Sequence, residues 1–135
     1  MVFISSKAFP GLFLGVSLAT TNVSVKVIAS SINACRDWTL QTCGIYYAMT
    51  PTTAPSLAVT QASDTVANLQ PCKFLSSQAF KRIPASVSTD GGDYIYYVIQ
   101  FILPSSTGKV FLATDGARVF FTNTPNDDRC MWKFQ

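Results

Sequence analysis

Histidine and glutamate are both absent from this 135-residue chain, so its seven acidic residues are all aspartate. That double absence removes the commonest general base, the commonest metal ligand and the carboxylic acid most often tuned to donate a proton. Charge of either sign is scarce: only 13% of residues carry it, about half the usual share. The ten Lys and Arg are scattered, with no run longer than Lys81-Arg82, so the net charge of +3 makes no basic stripe for nucleic acid. No apolar run approaches the roughly 18 residues that a membrane-spanning helix needs. The opening MVFISSKAFPGLFLGVSLA places a lysine ahead of apolar residues, as a secretory leader does, but Pro10-Gly11 interrupts it. A soluble chain is expected, cytoplasmic or secreted without a removed leader.

Cysteine is present but sparse. Cys35, Cys43, Cys72 and Cys130 show no CxxC spacing, and without histidine they make no zinc site. They read as small buried apolar residues, with Cys43 the one expected to differ.

What the chain does have is apolar bulk, 48% of residues, in a length that makes one domain with a sizeable core. The bulk comes in short runs rich in Val, Ile, Phe and Tyr, among them VSVKVIA, IYYAMT, YIYYVIQFIL and ARVFFT. Proline or glycine punctuates them about every ten residues, in FPG, TPTTAP, TDGGD, PSSTG and TDGA. Short alternating runs between turn signals are strands, and the chain reads as all-β.

The runs also repeat. GLFLGVS, GIYYAMT and GKVFLATD each start with glycine; each is followed by an alternating strand and then by a cysteine-led segment, CRDWTL, CKFL and CMWKF. Three units of roughly four strands at a period of about 35 to 45 residues describe a β-trefoil, a six-stranded barrel closed at one end by three hairpins. The approximate units are 1–41, 42–78 and 79–135. One unit cannot cover its own apolar face, so equivalent positions must supply bulk three times. Trp38, Phe74 and Trp132 are expected to be one equivalent set, and Phe13-Leu14, Tyr46-Tyr47 and Phe111-Leu112 another. The symmetry is imperfect: little chain separates Leu40 from Gly44, and KRIPASVSTDGGD is longer than a unit needs.

Two stretches carry family resemblances. SSKAFPGLFLGVS resembles a segment of interleukin-1 family cytokines and the Pro-Gly-containing unit of arabinofuranose-binding trefoil domains, while GIYYAMTP is similar to an early strand of plant Kunitz-type inhibitors. These resemblances imply the trefoil fold. They point to receptor, sugar or protease recognition as the range of functions, and no functional residue is carried over from them.

Catalysis is not expected. Asp90 with Asp93 and Asp127 with Asp128 sit among turn residues, where aspartate ordinarily binds its own backbone; the thiols lack an activating base, and no GxSxG or phosphate-binding glycine loop is present. No cofactor or metal is expected either. Neutral sugars need an aromatic face and Asp, Asn or Gln to bond their hydroxyls. DGGDYIYY offers Asp90, Asp93, Tyr94 and Tyr96; FTNTPNDDR offers Asn123, Asn126 and Asp127. The expected function is therefore a non-catalytic recognition module that binds carbohydrate through its loops. Two alternatives stand: a protein-binding trefoil, either cytokine-like or a protease inhibitor presenting Lys81, Arg82 and Ile83 in the long insertion, and a structural protein that self-associates through uncovered strand edges.

Overall fold

The computed structural model describes residues 1–29, 34–87, 95–103 and 107–135. Among the described residues, twelve strands fall into three groups of four. The first holds β1 (Ile4–Ser6), β2 (Phe13–Gly15), β3 (Lys26–Ile28) and β4 (Trp38–Cys43); the second β5 (Tyr46–Pro51), β6 (Leu57–Ser63), β7 (Val66–Pro71) and β8 (Phe80–Val87); the third β9 (Ile95–Phe101), β10 (Phe111–Thr114), β11 (Val119–Thr122) and β12 (Met131–Phe134).

The outer strands of each group form a ring. Antiparallel ladders join β1 to β12, β12 to β9, β9 to β8, β8 to β5 and β5 to β4. Val2 and Trp38 then exchange backbone hydrogen bonds of 2.7 and 2.9 Å, which closes the ring. The inner strands form three hairpins, β2–β3, β6–β7 and β10–β11. A six-stranded barrel with three hairpins is the β-trefoil.

Local chemistry makes the turns of both barrel and hairpins. At the β4–β5 tip, Cys43 pairs with Tyr46 across a two-residue turn, and its first residue, Gly44, takes φ +62°, a left-handed value that glycine reaches without strain. The four-residue β10–β11 turn is tied by Asp115, whose Oδ1 accepts the backbone N–H groups of Ala117 (3.0 Å) and Arg118 (2.7 Å).

The core shows the symmetry residue by residue. Trp38, Phe80 and Trp132 are all buried at the start of the fourth strand of their group. Each tryptophan donates its indole N–H to an equivalent carbonyl, Trp38 to Leu14 at 2.9 Å and Trp132 to Leu112 at 3.0 Å. Phe80 has no side-chain N–H and instead packs its ring on Phe101, ring centroids 5.6 Å apart. The hairpins bury matching cross-strand pairs: Leu14 with Val27, Val59 with Leu69, and Leu112 with Phe121.

The expectation for the second repeat therefore needs correction. Phe74 is not the partner of the tryptophans; it lies outside any strand, is 37% exposed, and has φ 51°. Phe80 fills that place. Likewise Tyr46 and Tyr47 lie on a barrel strand, whereas Leu14 and Leu112 have Val59 as their hairpin equivalent. The CKFL segment imitates CRDWTL in order of residue types, but it follows β7, a strand hidden in VANLQP, and four more residues pass before the chain re-enters the barrel at Phe80.

Lys81, Arg82 and Ile83 also stand elsewhere than expected. They are inside strand β8, registered against Gln100, Ile99 and Val98, rather than in a protruding loop. Two residues beyond each core aromatic come Leu40, Arg82 and Phe134, which face the buried residues Met49, Ile99 and Ile4 across the ladders. One of three inward positions is thus an arginine. Its guanidinium lies 4.8 to 5.0 Å from the ring centroids of Tyr47, Tyr97 and Phe134 and donates to the Tyr47 hydroxyl at 3.3 Å.

Candidate functional site

The threefold alignment picks out one surface position per repeat. On β3, β7 and β11 the residue between two buried neighbours points outward, and these equivalents are Lys26, Asn68 and Phe120. Asn68 belongs to a closed amide cluster: Gln70 Nε2 donates to Asn68 Oδ1 at 3.2 Å and to Asn22 Oδ1 at 2.6 Å. Lys26 presents a charge. Of the three positions, Phe120 alone presents a half-exposed ring.

Phe120 separates two shallow depressions. The larger, about 460 Å3, lies between the β6–β7 and β10–β11 hairpins and is lined by Asp64, Thr65, Lys109, Asp115, Arg118 and Thr122 as well as Phe120. The smaller, about 140 Å3, is bounded by Phe120, Thr122, Thr124, Asp127, Arg129 and Cys130. A ring flanked by carboxylates, hydroxyls and cations is the composition that a polyhydroxylated ligand needs.

The carboxylates are positioned by hydrogen bonds, one long-range and the others within a turn. Asp64 Oδ2 accepts the Thr107 hydroxyl at 3.1 Å. Asp127 caps the 3-10 turn Asp128–Cys130, accepts the Arg129 backbone N–H at 2.9 Å and pairs with the Arg129 guanidinium at 3.0 Å. The Arg129 side chain is the main reason that the Asp127 carboxyl is held below the ordinary aspartate range, with the Arg129 N–H second. Asp115 is lowered chiefly by the Arg118 and Ala117 backbone N–H groups. Burial pushes the Cys130 thiol up, so it stays protonated beside the groove. Among the described residues no group of three His, Cys, Asp or Glu could hold a metal ion.

The sugar-binding residues expected from sequence scatter. Asp127 lines the Phe120 groove. Asn123 is exposed just after β11, and Asn126 lines a separate depression of about 300 Å3 together with Ile83, Pro84 and Met131. Tyr96 sits on β9 opposite Lys133, its ring 5.3 Å below Lys7 Nζ. Asp90, Asp93 and Tyr94 fall outside the described residues. Sequence reading missed Phe120, Asp64, Thr122 and Arg129. The alternation in ARVFFT put Val119 and Phe121 inward and Phe120 outward, and that signal was available; a correct alignment of the second repeat was what it lacked.

No protein-family model matches the chain, and no curated protein matches it either. Solved structures do. The whole chain superposes on 17% of the chain of a mosquitocidal holotoxin with a TM-score of 0.75 at 12% identity. It also superposes on ThreeFoil, a designed 3-fold symmetric protein, with a TM-score of 0.72 at 18% identity over 98% of this chain and 96% of that one. At these identities the likeness establishes the trefoil fold alone. This chain spans about a sixth of the holotoxin's length. No helix among the described residues is long and apolar enough to cross a membrane.

Proposed function

We propose that this chain is a non-catalytic recognition module that binds carbohydrate, with a sugar ring laid against Phe120 and its hydroxyls bonded by residues of the two flanking depressions. The observation that carries the proposal is the asymmetry of an otherwise threefold surface: of three equivalent outward positions, one alone carries an aromatic ring, and that ring lies between two carboxylate-bearing hollows. A core has no use for an outward phenylalanine there. The CH face of a pyranose does, because stacking removes apolar surface from water while the ring hydroxyls keep polar partners. Low overall charge suits a neutral ligand. The likeness to part of a holotoxin is compatible with a recognition unit that works as one piece of a larger protein.

The test is a glycan array followed by calorimetry on the best ligand. Phe120→Ala is expected to weaken binding by about tenfold or more, the order of a lost aromatic stacking contact, with unchanged circular dichroism. Asp127→Asn is expected to weaken it less, because part of that carboxylate is already committed to Arg129. Sugar binding that survives Phe120→Ala at full strength would refute the site, and an array without any bound glycan would refute the ligand class.

A further inference from the structure

On the pseudo-threefold axis the three hairpins leave a depression of about 460 Å3. Its floor is a symmetric triad, Val25, Ala67 and Val119, one from each hairpin and each buried. Its rim is not symmetric. Lys26 and Arg118 face each other as an antiparallel bridge between β3 and the β10–β11 hairpin, and both side chains are exposed. Like charges directly opposite on neighbouring strands repel, and nothing in the fold requires them there. Arg118 is offset by Asp115 at 3.2 Å, whereas Lys26 has no carboxylate partner among the described residues. Thr65 completes the rim with a hydroxyl.

We propose that this axial depression is an oxyanion site, taking a sulfate or phosphate group between Lys26 and Arg118. A tetrahedral oxyanion offers acceptors in several directions, so one group can meet the ammonium, the guanidinium and the Thr65 hydroxyl together, and it cancels the repulsion that the two cations otherwise carry. The apolar floor excludes water from the far side. The site stands apart from sugar stacking on Phe120, although Arg118 and Thr65 line both hollows, so a sulfated saccharide can span them while a free anion occupies only the axis.

Backbone amide shifts of Val25, Ala67 and Val119 are followed by NMR while sodium sulfate, galactose 6-sulfate or galactose is added at constant ionic strength. Sulfate or galactose 6-sulfate is expected to shift the axial triad. Lys26→Ala and Lys26→Glu are expected to weaken that response by about tenfold or more, as for loss of one charge-assisted contact, while Lys73→Glu, an equal change of net charge on the exposed β7–β8 connection, leaves it within about twofold. Response to both compounds assigns the determinant to the anion itself; response to galactose 6-sulfate alone, with the same Lys26 dependence, assigns it to a sulfated glycan. Phe120→Ala is expected to spare the sulfate response, which keeps this test separate from that of the Phe120 groove. A silent axial triad, or equal damage from Lys73→Glu and Lys26→Glu, would overturn the proposal.

Discussion

Arg82 occupies a place that the other repeats give to Leu40 and Phe134, and its energetics are unusual. A half-buried guanidinium loses water, and its Nε is buried without a hydrogen-bond partner. No carboxylate compensates it among the described residues; three aromatic faces and one hydroxyl do. Replacing an incompletely paired buried charge by an apolar side chain of similar size is commonly neutral or stabilising. Arg82→Leu is therefore expected to leave the unfolding free energy from urea denaturation unchanged or raise it, and a loss of more than about 1 kcal/mol would show that the rings contribute more than the desolvation costs. The four thiols differ in the same residue-level way. None is in a disulfide; Cys43 is exposed and Cys130 is buried with its thiol pKa raised. Since the thiolate is the reactive form, iodoacetamide is expected to label Cys43 first and Cys130 last, as peptide mass spectrometry would read. Asp115 and Asp127 have carboxyl pKa values lowered by their partners. The stability they lend is complete above the ordinary aspartate value and is lost as pH falls through the lowered one. The urea midpoint is expected to drop below about pH 4, and Asp115→Asn with Asp127→Asn to flatten that drop.

At the scale of the elements, the unit of stability is the fourth strand of each repeat, which plants one large side chain under a hairpin. Truncating Phe80 is expected to cost about 3–5 kcal/mol, as for other fully buried aromatics, whereas Phe74→Ala should stay near or below about 1 kcal/mol; denaturant unfolding of the two variants decides which residue the repeat is built on. This pair also shows where sequence stopped being informative. The hairpin pattern of the first and third repeats, the two tryptophans and the barrel were readable, because GLFLGVS and GKVFLATD lead through the same order of segments to CRDWTL and CMWKF, although Leu14 precedes Trp38 by 24 residues and Leu112 precedes Trp132 by 20. In the second repeat a polar strand, VANLQP, hides its inward Ala67 and Leu69 among Asn68 and Gln70, and CKFL looks more like a core strand than the AFKRIP segment that holds Phe80. Period-2 patterning identifies a face and cannot choose between two candidate strands when both contain one phenylalanine. The same slip concealed Phe120, which becomes conspicuous only once Lys26 and Asn68 are recognised as its counterparts. Asp127 was legible for its turn chemistry, and the turn role is indeed what its capping bonds show.

For the whole molecule, threefold architecture and functional asymmetry coexist because they are carried by different atoms. Buried positions repeat, since three groups of strands share one interior; outward positions are released from that constraint, and at one register they hold a lysine, an asparagine and a phenylalanine. The barrel closes only when β12 lies between β1 and β9, so the last strand of the chain completes the structure that the first strand begins. There the backbones of Phe3 and Gln135 bond to each other at 2.8 and 2.9 Å. Residues 3 and 135 are thus near neighbours, and the trefoil they bracket is in effect a loop closed at that point. A circular permutant, its old ends joined by a short glycine-serine bridge and new ends opened between Gly44 and Ile45, is expected to regain the native tryptophan fluorescence and a single cooperative melt. The order in which the three units are threaded would then be a free choice for an engineer, who could place the Phe120 unit first, second or last without changing the surface it presents.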